Sequence, residues 1–418
     1  MSDGIIRITQ DGNGKHIDNT VFQRDGVDVY RQRVETYNGT PANIDTSGRT
    51  RSSALLTLFD GKIMNAEDPY KWDTQGTGTA LYENNAVSMS VTAGQYLIRQ
   101  ARYFTPYFSG KPQLIEITQQ DFDNEPGVVK RFGYFSSSAV APYDTAYDGW
   151  WIEADGTDYW LVASNLGVET HRIKWTDWDG YSKIATYDWS KFTVTMVDFL
   201  WLGGAGLRFF MIVDGAFQLI HMIDNHAGYQ DRLVFNSPNQ PVRYEIRSTT
   251  GAGHLHAVCS QVATEGTTTN EQGEGISWYS APLAANSVGT IYALVGAKKQ
   301  VAFRDHFCPV SEVGAAIQTA DSGVLMLLLN PTLSAPLTYT NTSRIQAGVA
   351  LTPTTVTNVG RILKAVPMVQ SGVQVQAPSA LLRNLAVGID NTMSELVVAY
   401  APQSSNQTVF GSMQVLEY

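Results

Sequence analysis

Cysteine is scarce in this chain of 418 residues. Only Cys259 and Cys308 occur, so no framework of disulfide bonds is available to hold the fold. Cys259 lies in the apolar run LHAVCSQV, where a buried free thiol is the simplest interpretation. Basic runs are also missing, and the net charge is −10. An acidic chain of this kind is a poor partner for nucleic acid, and we expect none.

Long apolar runs are absent as well. No window reaches the roughly 20 apolar residues that a membrane-spanning helix needs, so we expect no membrane partner. The opening Met1-Ser2-Asp3-Gly4 begins no signal peptide, because no charged segment precedes an apolar stretch. We therefore expect the protein to be made in a cytoplasm and not exported by the usual route.

Helical periodicity is the third absence, since long amphipathic helical patterns are hard to find. Short alternating runs with 36 Gly, 9 Trp and 20 Tyr take their place. Such runs, separated by tight turns, are typical of short antiparallel strands. The predicted fold class is all-β, an antiparallel, jelly-roll-like β-sandwich with a short N-terminal arm.

The strongest local signal is a predicted β-hairpin with Asp214-Gly215 at its turn. Leu207 to Val213 and Ala216 to Ile223 are the flanking apolar runs. An Asp-Gly pair suits a type I′ turn, and both faces are apolar, so we expect a central strand pair. The two-residue loop predicts these cross-strand pairs: Val213 with Ala216, Ile212 with Phe217, Phe210 with Leu219, and Arg208 with His221.

Composition divides the chain into three regions. Residues 1–46 are polar, with one alternating run at Val27 to Val34, and predict an arm that attaches to a particle or pairs with another chain. A disordered tail is the alternative. Residues 47–268 hold the sandwich. Residues 269–418 have fewer Trp and no Asp-Gly turns, and predict a β region that completes or packs on the sandwich.

One stretch resembles a catalytic motif. Glu153-Ala-Asp155-Gly-Thr-Asp158 comes close to the E-x-D-x-x-E pattern of β-sandwich glycoside hydrolases, in which carboxylates share one strand face. The Asp155-Gly156 pair is better explained as a type I′ hairpin turn flanked by solvated carboxylates. We therefore predict no catalytic residue and no enzyme.

Histidines suggest a metal site only weakly. His254 and His256 share one strand face, and His221, His226 or Cys259 would have to complete the ligand set. No carboxylate or CxxC pair stands beside them at ligand spacing. We predict no metal and no cofactor.

Aromatic side chains supply the candidate ligand site. Trp150, Trp151, Trp160 and Trp178 belong to a cluster of tryptophans that suits stacking on sugar rings. In a β-sandwich such residues more often fill the core. They are the only candidate binding residues that the sequence provides.

Eight stretches, taken in this order, resemble a family of virion structural proteins of tailed bacteriophages, with relatives in some large DNA viruses. They include DTSGRTRSSALLTLFD at 45–60, TGTALYENNAVSMSVTAG at 77–94, IRQARYFTPYFSGKPQLIEIT at 98–118, VKRFGYFSS at 129–137, DFLWLGGAGLRFFMIVDG at 198–215, SPNQPVRYEIR at 237–247, LHAVCSQVATEG at 255–266 and LLLNPTLSAPLTY at 327–339. The resemblance covers residues 45 to 418.

The resemblance implies a concanavalin-like β-sandwich built into the particle, on the capsid surface or in the tail. It carries no catalytic motif that transfers to these residues. The expected partners are other virion proteins and the chain itself, as a homo-oligomer and by guess a trimer. The alternative function is a carbohydrate-binding module that recognises a host surface glycan.

Overall fold

The computed structural model describes residues 19–24, 27–32, 54–63, 66–138, 140–201, 206–224, 233–266, 273–318, 321–369, 373–376 and 385–418. These residues form antiparallel sheets joined by turns, and the predicted all-β sandwich class is confirmed. The one α-helix among them, Tyr181–Ile184, has four residues, and 3-10 turns cover Trp175–Asp177 and Val301–Phe303. No described helix is long and apolar enough to cross a membrane.

The first sandwich pairs a seven-stranded sheet with an eight-stranded sheet. The strands of the seven-stranded sheet, in spatial order, are β12 (Val168–Lys174), β11 (Tyr159–Asn165), β10 (Ala146–Ala154), β9 (Val128–Ser137), β16 (Val242–Ser248), β7 (Tyr96–Ala101) and β4 (Trp72–Gly76). Those of the eight-stranded sheet are β15 (Ala216–Asp224), β14 (Gly206–Val213), β13 (Thr193–Leu200), β8 (Gln113–Gln120), β17 (Gly253–Glu265), β6 (Ala86–Val91) and β5 (Thr79–Glu83), with β3 (Leu55–Asp60) beside β17.

Alternation along the strands creates the core between these sheets. In β9, Phe132 and Tyr134 are fully buried in the main apolar cluster, whereas Arg131, which precedes Phe132, points to the opposite face. In β16, Val242, Tyr244 and Ile246 follow the same rule. The seven-stranded sheet therefore has an inner face of aromatic and aliphatic side chains and an outer face that carries charge.

The predicted hairpin at Asp214-Gly215 is present, and both residues have positive φ, 52° and 77°. The first three predicted cross-strand pairs are confirmed, but His221 lies opposite Phe209, because a β-bulge shifts the register beyond Phe210. The predicted central position is wrong: β15 ends the order of strands. Both faces are apolar because the outer one has its own cluster, formed by Leu114, Met196 and Phe210 with Phe217 packed against it.

The second sandwich lies after residue 273, and no described strand there pairs with a strand of the first. Its five-stranded sheet contains β18 (Glu274–Tyr279), β29 (Gln407–Glu417), β21 (Val310–Ile317) and β27 (Val373–Gln376), with β19 (Leu283–Ala285) beside β29. Its seven-stranded sheet contains β23 (Thr332–Leu333), β25 (Ile345–Asn358), β20 (Tyr292–Lys299), β28 (Leu396–Pro402), β22 (Ser322–Leu329) and β26 (Arg361–Val369), with β24 (Thr338–Asn341) beside β25. A separate apolar cluster fills this sandwich.

Polar side chains join the two sandwiches. The Arg304 guanidinium donates to the Ser137 carbonyl oxygen of the first sandwich at 2.9 Å and to Asn391 Oδ1 of the second at 2.8 Å. Asp73 Oδ2 accepts the backbone N–H of Ile389 at 2.7 Å. Each sandwich thus contributes a backbone group to the contact: the Ser137 carbonyl oxygen from the first and the Ile389 N–H from the second.

The predicted arm is described only between residues 19 and 32. There β1 (Asn19–Arg24) and β2 (Val27–Gln32) form an antiparallel two-stranded sheet. The alternating run at Val27 to Val34 is thus a strand, as predicted, up to Gln32. Within the described residues this hairpin pairs with no other strand.

Candidate functional site

The outer face of the seven-stranded sheet carries a row of four charged side chains and one tryptophan across five adjacent strands. The register places Lys174, Trp160, Glu153, Arg131 and Glu245 opposite one another, one from each strand. Neighbouring side chains in such a row lie about 5 Å apart, close enough for direct bonds. We call these five residues the charged row.

Arg131 is the centre of the charged row. Its Nε lies 2.7 Å from Glu153 Oε2, and its Nη1 lies 3.1 Å from Glu245 Oε2. The second oxygen of Glu153 accepts a bond of 2.6 Å from Arg172 Nη2. Trp151 Nε1 donates to Glu153 at 3.3 Å. Glu153 is therefore held by two guanidinium groups and an indole, and only 3% of it is exposed.

Arg243 extends the network toward the neighbouring strand. It is fully buried, donates to Glu245 Oε1 from Nε at 2.6 Å and reaches Gln100 Oε1 at 2.5 Å. Gly133 lies between Arg243 and Trp151 in the register, where a Cβ would stand 2.3 Å from the Trp150 carbonyl oxygen. Any side chain at position 133 would therefore collide with the backbone of the neighbouring strand β10.

The connection between β9 and β10 closes over part of this face. The Tyr143 carbonyl oxygen accepts a hydrogen bond from Arg243, and the Asp144 carbonyl oxygen accepts one from Arg131 at 3.3 Å. The Asp144 carboxylate pairs with Arg247 at 3.1 Å. The buried carboxylates Glu153 and Glu245 are thus covered by the chain itself, and the open end of the row lies at Trp160 and Lys174.

The charges determine what this site can do chemically. Burial raises the pKa of Glu153, but Arg131 and Arg172 lower it more, so the pKa of this carboxyl lies below its usual value. A glycosidase acid needs a raised pKa in order to hold a proton near neutral pH. Glu153 is ionised and fully paired, which is the arrangement of a structural carboxylate and not of a proton donor.

Asp155 is occupied by the turn, although the turn differs from the predicted one. Ala154 pairs with Tyr159, so the hairpin loop has four residues and not two. Asp155 Oδ1 accepts the backbone N–H of Thr157 at 2.9 Å and that of Asp158 at 2.8 Å. Burial raises the pKa of Asp155, but these bonds and the Thr157 hydroxyl lower it to about 2. The expected solvated carboxylate is wrong for Glu153, because the arginines of the sheet bury it.

The four candidate tryptophans occupy different environments. Trp150 is fully buried and Trp178 is 4% exposed, and both lie in the main core. Trp151 is 2% exposed and packs on the outer face against Phe135. Trp160 is half-buried, with the Arg172 guanidinium 4.8 Å from its ring centroid. Of these four side chains, only Trp160 reaches solvent enough to meet a ligand in this conformation.

The candidate histidines contact separate side chains. On β17, His256 Nδ1 lies 2.7 Å from Asp121 Oδ2, and His254 Nδ1 lies 3.0 Å from Ser90 Oγ. His221 is on another strand, β15, and lies 2.9 Å from Asp179 Oδ2. The described residues contain no group of three or more His, Cys, Asp or Glu placed to hold a metal ion. His226 lies outside the described residues.

No protein-family model matches this chain, and no curated protein matches it. Solved structures match in fold over about half of it. The Emp47p carbohydrate recognition domain is 11% identical with a TM-score of 0.34, covering 53% of this chain and 100% of its own. The β-glucanase of Bacillus licheniformis is 13% identical with a TM-score of 0.32, covering 52% and 100%. The VIP36 exoplasmic/lumenal domain in its Ca2+/Man3GlcNAc-bound form is 10% identical, with a TM-score of 0.35, covering 52% and 92%. The likeness concerns the β-sandwich fold alone.

The arginines of this site are not among the residues predicted from the sequence. Arg131, Arg243 and Glu245 each alternate with buried apolar residues in VKRFGYF and VRYEIR, which is a visible signal for a charged outer face. The alternation does not reveal which strands are neighbours. The pairing of β9 with β16, more than 100 residues later, brings these groups together.

Proposed function

We propose that this chain is a structural protein of a tailed-phage virion, located on the capsid surface or in the tail. It is non-enzymatic and assembles as a homo-oligomer, with a trimer as our working guess, in contact with other virion proteins. The proposal starts from the resemblance of residues 45 to 418 to that family. Made in the host cytoplasm, the chain ends in the particle.

The N-terminal hairpin carries the proposal. Strands β1 and β2 pair with each other, and among the described residues neither edge of this two-stranded sheet pairs with a further strand. An isolated hairpin is only marginally stable in water. Adding a strand or a sheet from a second chain satisfies its edges. This arrangement supports an arm that joins one copy to another or to the particle.

The charged row supports a non-enzymatic role. Its buried carboxylates are neutralised by Arg131, Arg172 and Arg243 instead of being poised beside a cleft. Buried salt bridges of this kind favour one arrangement of the neighbouring strands over others, which suits a structural protein.

The experiment is light scattering of the full chain beside a shortened chain that starts at Ser47. We expect a closed multimer of 45.9 kDa chains that falls to monomers when the arm is removed. If both the full chain and the shortened chain were monomers, the assembly proposal would be contradicted. A multimer that survives the deletion would locate the contact in the sandwiches and contradict the role of the arm. A second assay then compares how well the full chain and the shortened chain bind to phage particles, which tests whether the arm attaches the protein to the particle.

Glycan binding is the second candidate function, and Trp160 favours it. This half-buried indole stands at the open end of the charged row, beside Arg172 and Lys174. A flat aromatic ring next to charged hydrogen-bond donors suits a sugar ring. A glycan array compares the full chain with Trp160→Ala. The absence of any hit, together with no binding to host cells, would remove this candidate.

A further inference from the structure

The second sandwich contains a groove that is separate from the charged row. The groove has a volume of about 500 Å³, within the range of small-ligand sites. It lies where β20, β24 and β25 meet the segment at residues 392–393. Its polar lining comes from Lys298, Lys299, Gln300, Asn341, Gln346 and Thr392.

The sheet register builds one wall of this groove. Lys298 of β20 lies opposite Gln346 of β25, and Gln346 lies opposite Asn341 of β24. The three side chains therefore form a row across three strands, about 10 Å long at the usual strand spacing. Gln346 Nε2 donates to Asn341 Oδ1 at 2.8 Å, which fixes the orientation of both amides. A row of this length matches two linked sugar rings better than a single small ion.

Each amide in this row keeps hydrogen-bonding capacity after that bond. An Asn or Gln side chain carries two donor hydrogens and an acceptor oxygen with two lone pairs. The hydroxyl groups of a saccharide are both donors and acceptors, and amide side chains suit them. Thr392 adds a hydroxyl to the lining of the groove.

The charge of the groove is opposite to that of the chain. The net charge of the chain is −10, yet the residues that line the groove include two lysines and no Asp or Glu. The Lys298 ammonium lies 4.0 Å from the ring centroid of Tyr339. The carboxylate of Glu395 is held by the Tyr339 hydroxyl. An anion entering the groove therefore meets a local excess of positive charge.

Lys299, the next residue of β20, has its side chain on the opposite face of the sheet. It is 1% exposed, and the hydrogen bond that the structure gives its ammonium within the described residues goes to the Arg304 carbonyl oxygen at 3.1 Å. Lys298 is therefore the lysine of the lining whose ammonium can meet a ligand in the groove.

We propose that this groove binds an acidic saccharide, with Lys298 facing its carboxylate or phosphate and Gln346 and Asn341 bonding its hydroxyls. The site lies on the second sandwich, away from Trp160. It rests neither on the assembly role nor on the Trp160 site, so the outcome of its test is independent of both.

The test is an array of oligosaccharides bearing uronate, sialate or phosphate groups, each beside its neutral counterpart, probed with the full chain. Hits are then measured by calorimetry at 50 and 300 mM salt. We expect acidic ligands to bind at least ten-fold more tightly than their neutral counterparts, and less tightly at high salt. No acidic hit, or equal affinity for both members of each pair, would overturn the proposal.

Variants locate the site. Lys298→Met and Gln346→Leu are each expected to weaken binding of the acidic ligand ten-fold or more. The matched control Lys183→Met removes an exposed lysine of the first sandwich and is expected to have no effect. Circular dichroism confirms that each variant is folded. Full binding by Lys298→Met with loss in Trp160→Ala would place the ligand on the first sandwich. If inorganic phosphate bound as tightly as the acidic saccharide, no saccharide would be recognised. Either of these last two results overturns the proposal.

Discussion

The ammonium nitrogen of Lys130 lies 3.0 Å from Glu125 Oε2, and the Lys130 side chain is only 1% exposed. The same nitrogen lies 2.6 Å from the Asp121 carbonyl oxygen and 3.4 Å from Asp123 Oδ1. Three oxygens of one loop thus surround one internal cation. Asp121 also bonds His256 of β17 at 2.7 Å. The loop is thus tied to the seven-stranded sheet by Lys130 of β9 and to the eight-stranded sheet by His256.

Replacing Lys130 with Met is expected to destabilise the first sandwich. The change leaves the Asp121 carbonyl oxygen and the Glu125 carboxylate without their cation, while the acids repel each other. Breaking a buried ion pair costs about 3–5 kcal/mol, and the exposure of Asp123 places this case near the lower end. Urea unfolding at pH 7 measures the loss.

Lys183→Met is the matched control for that loss, because Lys183 is exposed. Its free energy of unfolding is expected to stay within about 0.5 kcal/mol of the wild type. If both lysine variants lost the same amount, the internal cation would have no special role in the loop.

Glu153→Gln tests the charged row. Because Arg131 and Arg172 lower the pKa of Glu153, the carboxylate stabilises the native state above its unfolded pKa, about 4.3. This stability is lost as the pH falls through the lowered native pKa. The wild type is therefore expected to lose more stability than Glu153→Gln between pH 5 and pH 2. Thermal unfolding at several pH values follows both chains.

Glu169→Gln is the control for the charged row. Glu169 also pairs with Arg172, at 3.2 Å, but its side chain is 46% exposed. Exposed pairs contribute about 0–1 kcal/mol, so its acid limb is expected to follow that of the wild type. Identical acid limbs for Glu153→Gln and the wild type would contradict the role of this carboxylate.

Local turn chemistry explains what was predictable from the sequence. The hairpin at Asp214-Gly215 was predictable because two adjacent residues must adopt positive φ, and few pairs do so easily. Asp155-Gly156 has the same two letters. There the Asp155 carboxylate caps the backbone of a longer loop, and only Gly156 has positive φ. A dipeptide alone does not distinguish these two turns.

Long-range pairing explains what was not predictable. The position of the Asp214-Gly215 ribbon at the sheet edge depends on the strand order, in which β8 lies between β13 and β17. The burial of Glu153 depends on Arg131 in one neighbouring strand and on Arg172 two strands away on the other side. These contacts follow from the assembled sheet, and each segment taken separately contains no sign of its partner.

The buried Lys299 is expected to make the free energy of unfolding depend on pH in the alkaline range. Burial lowers the pKa of this lysine to about 8, against the opposing effect of Cys308 and Asp305. Between pH 8 and about 10.4, the native state releases this proton while the unfolded chain keeps it. The free energy of unfolding of the wild type is therefore expected to rise with pH relative to Lys299→Met. Urea unfolding at pH 7, 8, 9 and 10 measures the difference, and a constant gap would refute the assignment.

Arg304 is expected to couple the unfolding of the two sandwiches. Its guanidinium bonds the Ser137 carbonyl oxygen on one side and Asn391 on the other, and it lies 5.8 Å from the ring centroid of Phe104. Arg304→Ala removes all three contacts and leaves the Ser137 carbonyl oxygen without this donor. Losing hydrogen bonds to a charged group costs roughly 1.5–3 kcal/mol each. Because each sandwich has its own core, we expect scanning calorimetry to show one transition for the wild type and two for Arg304→Ala. Arg247→Ala, which removes an exposed arginine paired within the first sandwich, is expected to keep the single transition. A single transition in Arg304→Ala at an unchanged temperature would mean that the other contacts between the sandwiches, such as the hydrogen bond from the Ile389 N–H to the Asp73 carboxylate, suffice to couple the two cores.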